Sequence, residues 1–265
     1  MNIKSDTHSE LMHSATSTPN LKQRSEVNKN YGTNDFDGWV DCLINKIQFT
    51  SILDICCGTG NQLLKYAANN RNVLLIGVDI SQESLQAADS RLRSIGATGY
   101  ILKKVAMEDM FDDHEISNQK FDLISCFYGL YYSTDTKKTL EQMIDNLAYD
   151  GTILIVGPYG NNNSPLFEII ERHFILPDIV KRSSSTFMEH EVIPILSQYL
   201  SINTETFKNM ISYPSSKVLM DYWKASTFFS SAHENAILLD IEDHFNTHGS
   251  FKMEKHIMAC LARRL

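Results

Sequence analysis

Between residues 51 and 158, five continuous apolar runs of strand length alternate with segments of helical periodicity, and that alternation leaves few folds open. The runs are SILDI (51–55), NVLLIGVDI (72–80), YILKKV (100–105), FDLISCFYG (121–129) and TILIVGP (152–158). Runs that are apolar without alternation belong to strands buried on both faces, and intervening helices supply the crossovers that parallel strands need. The expected fold class is α/β, a parallel sheet with helices on both faces. The helices are NQLLKYAANN (61–70), SQESLQAADSRLRSIG (81–96) and TKKTLEQMIDNLAYDG (136–151). Ser81 or Ser84 caps the second, and Gly96 and Gly151 stop the second and third. Upstream, NDFDGWVDCLINKI (34–47) sets Trp39, Leu43, Ile44 and Ile47 at helical spacing behind Asn34 or Asp35 as N-cap.

The rhythm changes after Pro158. YGNNNSP reads as a loop, and LFEIIERHFILPDIV and MEHEVIPILSQYL read as helices broken by Pro177 and Pro194. They are expected on the carboxyl edge of the sheet as a lid, so 160–202 is assigned as a substrate-covering helical insertion. NTETFKNMISY (203–213) is a strand, two helices follow, and FKMEKHIMACLARR (251–264) alternates as a last strand that has to return antiparallel or at the edge. Residues 1–30 are assigned as a flexible polar tail and 31–265 as one domain, a size that a single core supports.

No run of 18 apolar residues exists and the N-terminus lacks an apolar signal core, so a cytoplasmic protein without a membrane partner is expected. Five cysteines, at 42, 56, 57, 126 and 260, form no C-x-x-C pair, which points to reduced thiols and no metal site. The formal charge is -8 and basic pairs are scattered, so no nucleic-acid partner is expected.

SILDICCGTGN (51–61) is a strand running into a glycine loop that opens a helix, a place where backbone N–H groups meet a polar ligand. A dinucleotide loop needs G-x-G-x-x-G, but from Gly58 the chain reads G-T-G-N-Q-L, with Leu63 at the third glycine. What remains is Asp54 at the end of the first strand, the G-x-G turn, and Asp79 at the end of the second. A carboxylate at Asp79 can accept both ribose hydroxyls of an adenosine ligand. Asp54 would repel a pyrophosphate and attract a cationic amino-acid moiety.

LDICCGTGN, IGVDIS, FDLISCFYGLYY and LAYDGTILIVG, in this order and spacing, resemble the class I S-adenosylmethionine-dependent methyltransferases, in their small-molecule branch. The resemblance implies a Rossmann-like seven-stranded sheet of order 3-2-1-4-5-7-6 with strand seven antiparallel. It implies S-adenosyl-L-methionine as cofactor and S-adenosyl-L-homocysteine as product. Carried over, Asp54, Cys56, Gly58 and Gly60 surround the methionine part, Asp79 holds the ribose, and Ile80 lies against the adenine. Met107 and Glu108 flank the adenine, the main chain at Cys126 accepts from the amino group, and Tyr31 joins the set from before the first helix. The chain departs from the pattern at Cys56, in place of the usual first glycine, which is tolerable if φ stays negative. Ala106 stands near the usual Asp, and Tyr131 and Tyr132 stand where histidines are frequent.

Methyl transfer from a sulfonium is an in-line displacement, so positioning and exclusion of water dominate and no universal catalytic residue is implied. Residues that can face an acceptor are Tyr31, Tyr128, Tyr131, Tyr159 and, in the lid, His190 between Glu189 and Glu191, as a base or an anchor for a phosphate or carboxylate. The expected function is methyl transfer to oxygen, nitrogen or carbon of a small organic acceptor, and a homodimer is compatible with it. The alternatives are a methyltransferase acting on RNA or protein and a non-catalytic S-adenosylmethionine-binding protein. A dinucleotide oxidoreductase is opposed by Leu63 and Asp54.

Overall fold

Seven strands form one mixed sheet of order β3-β2-β1-β4-β5-β7-β6 in the computed structural model, whose described residues are 17–69 and 73–264. The strands are β1 (Ser51–Ile55), β2 (Leu74–Asp79), β3 (Tyr100–Lys104), β4 (Phe121–Phe127), β5 (Leu147–Pro158), β6 (Ser201–Tyr213) and β7 (Phe251–Arg263). β1 to β5 pair in parallel, and β7 is antiparallel to both β5 and β6. The expected fold class and strand order therefore hold.

Helices cover both faces. On one face lie α2 (Phe36–Ile44), α3 (Asn61–Asn69) and α4 (Gln82–Ser94), packing Val40, Leu43, Leu63, Tyr66, Leu85 and Leu92 against β1, β2 and β4. Ser81 caps α4 by accepting from the Ser84 amide, and Gly96, at φ 68, closes it as expected. On the other face, α5 (Thr136–Asp145) contributes Leu140 and Met143. α5 ends at Asn146, five residues before the expected stop at Gly151, because Leu147 already pairs with Phe121 and the chain bulges before rejoining the ladder at Thr152.

The segment assigned as a lid behaves differently from the expectation. After α6 (Ser164–Ile170), residues 178–196 form one unbroken helical run, α7, with π-type turns at Arg182–Thr186 and Met188–Val192. Pro194 does not break it, because the wide turn just ahead removes the crowding a proline ring otherwise makes with the carbonyl four residues back. Phe187, Met188, Val192 and Leu196 are buried in the same cluster as β5 and β7 side chains. α7 is thus a covering layer of the sheet rather than a flap over its edge.

The real cover is assembled from four distant segments. β6 and β7 pair over 13 positions, but β5 leaves β7 at Ile257, so 208–213 and 251–256 run on alone past the carboxyl end of β5. Against this two-stranded extension pack α6, α8 (Ser216–Lys224) and α9 (Glu234–His248), around Trp223 and Ile211. The fourth segment is α1 (Thr18–Tyr31), which lies, all but Tyr31, inside the span 1–30 assigned as a flexible tail. Its first residue touches Ser84 at the start of α4, its Val27 enters the cap core, and Gly32 bridges to Ile211 on β6. α1 is therefore a strap across the carboxyl edge, tied down at both ends; the rest of the assigned tail, before residue 17, lies outside the described residues.

Candidate functional site

The candidate site at the carboxyl edge begins at the glycine loop between β1 and α3. Gly58, at φ 53, has open space where a Cβ would sit, and its amide donates to the Asp79 carboxylate at 2.8 Å. Gly60, at φ 78, lets α3 approach α4, since a Cβ there would lie 3.0 Å from that of Ala88. Leu63 fills the interior beside Gly77, where a dinucleotide loop has its third glycine. Cys56 has φ 56, against the negative value the sequence reading asked of it. A side chain held in the left-handed region is strained by about 1 kcal/mol or more. Its sulfur meets the Cys126 thiol, and that hydrogen bond together with burial pushes the Cys56 thiol far up. A nucleophilic role is thereby disfavoured.

Two carboxylates flank the loop. Asp79 ends β2, accepts from the Gly58 and Ser81 amides at 2.8 Å each, and has the exposed Ile80 beside it. Burial raises its pKa and the amides oppose this. Asp54 is buried and accepts from Ser125 Oγ at 2.6 Å, while its second oxygen has no partner among the described residues. Burial pushes Asp54 from 3.8 up to about 7, with the Ser125 hydrogen bond opposing and the Asp79 charge adding. Between these two values only the folded chain holds the proton, so stability falls as pH rises from about 4 to about 7 and is level above. The full effect is at most about 4 kcal/mol. Urea titrations at pH 5 and 8 should show the wild type losing stability relative to Asp54→Asn; equal slopes would refute the assignment.

The far wall comes from the loops after β3 and β4. Cys126 pairs in register with Ile55 and is buried. Met107 is buried among Met110 and Phe111, and Glu108 accepts from the Thr134 amide at 2.8 Å, tying the two loops together. Tyr128 follows β4 at φ 56 and is 36% exposed, with its ring 6.1 Å from Phe36. A strained, exposed tyrosine at a strand's carboxyl end is the arrangement expected where a ligand, and not the core, covers the ring. Tyr131 packs on Tyr132 and Phe187, and Tyr159 on His256. Tyr31 sits at the end of α1 against the cap core.

His190 does not join this group. It is exposed, makes no hydrogen bond or ring contact among the described residues, and its neighbour Glu191 is committed elsewhere. Arg182 grips Glu191 with Nε and Nη2 at 2.5 and 2.6 Å, and donates to Thr136 Oγ1 and the Tyr131 carbonyl at 3.1 Å each. This fork fastens α7 to the loop carrying Tyr131, and holds Glu191 below the usual carboxylate range. Arg182→Ala should cost about 1–2 kcal/mol in urea denaturation after allowing for its partial exposure, with Lys restoring less than half. An unchanged midpoint in Arg182→Ala would refute this.

The sequence reading missed Arg182 and also Lys255, a buried lysine whose ammonium donates to Tyr222 Oη at 2.5 Å. A signal existed for the last: Phe251, Met253, Ile257 and Ala259 form the inward side of β7, and Lys255 interrupts it.

A methyltransferase domain family model matches residues 48–210, more than half of the chain. The chain is 26% identical over 199 residues to the ubiquinone/menaquinone biosynthesis C-methyltransferase UbiE of Psychromonas ingrahamii, covering 71% of this chain and 70% of that one. It is 23% identical to the uncharacterized methyltransferase YcgJ of Bacillus subtilis, over 62% of each. The crystal structure of YcgJ superposes with a TM-score of 0.57 over 86% of this chain and 98% of that one, at 19% identity. The plantazolicin methyltransferase BpumL, solved in complex with a triazolic desmethylPZN analog and SAH, gives 0.55 over 98% of both chains at 14% identity. No helix among the described residues is long and apolar enough to cross a membrane. With the family matched from β1 into β6 and the strand order to go with it, the chain belongs to the methyltransferase domain family and is an S-adenosylmethionine-dependent methyltransferase.

Proposed function

We propose that this enzyme methylates a small organic acceptor, at oxygen, nitrogen or carbon, in the crevice between the carboxyl edge and the strap. The observation that carries the reading is Tyr128, held strained and partly open at the carboxyl end of β4, next to Gly129, which faces Cys56 of the glycine loop. α1 is held at both ends, to α4 and to β6, beside the carboxyl edge, which suits a small guest there better than an extended polymer. UbiE, among the relatives, is named a ubiquinone/menaquinone biosynthesis C-methyltransferase.

The residues present fit S-adenosylmethionine. The open face of Gly58 leaves room for its backbone approach, Asp79 offers carboxylate oxygens to ribose hydroxyls, and exposed Ile80 offers an apolar contact for adenine. The unpartnered oxygen of Asp54 suits the ammonium of the methionine part, directly or through water. When bound, the cofactor supplies an electrophilic methyl group on sulfonium. The chain's part is to orient the acceptor over that group and keep water out, which Tyr128, Tyr131 and the strap do.

An ammonium near Asp54 favours its ionised form, so affinity for S-adenosylmethionine should rise with pH up to about 7 and then level. The test is calorimetric titration with S-adenosylmethionine and S-adenosylhomocysteine from pH 5.5 to 8.5, followed by transfer of labelled methyl to a panel of small phenols, amines and enolisable acids. Turnover on a small acceptor bears the reading out. Binding of the cofactor with labelling only of RNA or protein substrates would overturn it.

A further inference from the structure

The inward row of β6 consists of Phe207, Asn209, Ile211 and Tyr213, and all four side chains are buried. Asn209 is the one amide in that row, and it is 4% exposed. A buried amide is tolerated where it has specific partners, and those of Asn209 lie on the end of α1 and the segment that joins it to α2. Its Oδ1 accepts from the Asn34 amide at 2.9 Å and from Thr33 Oγ1 at 3.5 Å, and its Nδ2 donates to the Asn28 carbonyl at 3.4 Å. On either side of it, the Thr33 amide donates to the Met210 carbonyl at 3.1 Å, and Asn34 Nδ2 to the Lys208 carbonyl at 2.6 Å.

Gly32 completes this clasp. Its φ of -86 is open to any residue, so glycine is not required there by the backbone. It is required by space, because a Cβ would lie 2.4 Å from Asn209 Nδ2 and 2.4 Å from the Asn28 carbonyl oxygen. What the clasp carries on its two sides belongs to the candidate site. Tyr31, expected with the cofactor, directly precedes Gly32, and the far end of α1 touches Ser84, in the first turn of α4 behind the Ser81 whose amide donates to Asp79. Phe36, two residues after Asn34, opens α2 with its ring 6.1 Å from Tyr128 and 5.7 Å from Phe207. Stability alone is a weak reason for the clasp, since α2 already buries Val40, Leu43 and Ile44, and β6 already pairs with β7 over 13 positions.

We propose that Asn209 is a positioning residue for methyl transfer. Through residues 32–34 it sets Tyr31 and α1 at the cofactor end of the site and Phe36 against Tyr128 at the acceptor end. The inference rests on the reading that cofactor and acceptor meet at this edge of the sheet. One buried amide then fixes the walls that face both reactants, and an in-line displacement depends on their alignment.

The test measures S-adenosylhomocysteine affinity by calorimetry, and trypsin cleavage after Lys22, Arg24 and Lys29 of α1, on full-length protein that urea titration shows to be folded. In the wild type, the bound ligand should slow cleavage within α1 by about threefold or more. Asn209→Ala and Gly32→Ala open the clasp from opposite sides, and each should weaken binding about tenfold and remove that protection. Asn209→Asp keeps the acceptor for the Asn34 amide, its charge meets the cross-strand Lys255, and its affinity should stay within about threefold of wild type. A purely structural clasp would shift the urea midpoint and leave affinity and protection alone. Affinity and protection unchanged in the two opened variants, an Asp variant no better than Ala, or no protection of α1 in the wild type would overturn the proposal. If neither opened variant folds, Asn34→Ala, at an exposed position, removes only the bond to Lys208 and should still weaken binding about threefold; unchanged affinity there would overturn the proposal too. Failure of the wild type to bind S-adenosylhomocysteine would instead overturn the cofactor reading, and this one with it.

Discussion

Asp79→Ala is expected to weaken S-adenosylmethionine binding by about 100-fold or more, close to 3 kcal/mol. The ribose hydroxyls would lose a charged acceptor, for which a hydrogen bond contributes about 1.5–3 kcal/mol. The loop suffers as well, because the Gly58 and Ser81 amides that now point at Asp79 are left without their acceptor. Asp79→Asn, which keeps one carbonyl oxygen, should fall between the two. Calorimetric titration reads both effects. A loss below threefold in Asp79→Ala would show that the ribose lies elsewhere.

Gly129→Ala should be among the most damaging single-methyl changes in the chain. A Cβ at residue 129 would collide with the Cβ of Cys56 and sit 2.6 Å from its sulfur. Cys56 cannot swing aside, because its backbone is in the left-handed region and its thiol is held against Cys126. Overpacking of this kind costs about 3 kcal/mol. The clash has a specific remedy: with Cys56→Gly in place, the nearest remaining atom is Cys126 Sγ at 3.4 Å, an ordinary contact. The double variant should therefore recover about 2 kcal/mol over Gly129→Ala alone, a non-additivity expected only of touching residues. Cys56→Gly alone should be close to neutral, since relief of strain offsets the extra freedom of glycine in the unfolded chain. Additive effects in urea denaturation would refute the contact.

Most loops of this type place glycine where φ is positive, and the sequence reading allowed cysteine on the condition that φ be negative. The backbone kept the glycine conformation and accepted the strain, and Gly129 then became obligatory across from it. The substitution was visible in the sequence, but its geometric partner was not.

What the amino-acid order determined by itself is the parallel half of the sheet and the loop at its switch point. Those features are local: continuous apolar runs, capped helices and a G-x-G turn are written in windows of five to sixteen residues, and their energies come from neighbours in sequence. The last strand's reversed direction was legible for the same reason, since its alternating pattern differs from the continuous runs before it. What only the tertiary structure decided is the cover. The strap at 18–31 has one buried residue and little amphipathic signal, and it is held by contacts at its two ends with α4 and β6, far away in sequence. Pro194 reads as a break until the π-type turns ahead of it make room. Long-range packing of this sort depends on which surfaces are left to cover once the sheet has formed, and no local pattern carries that information.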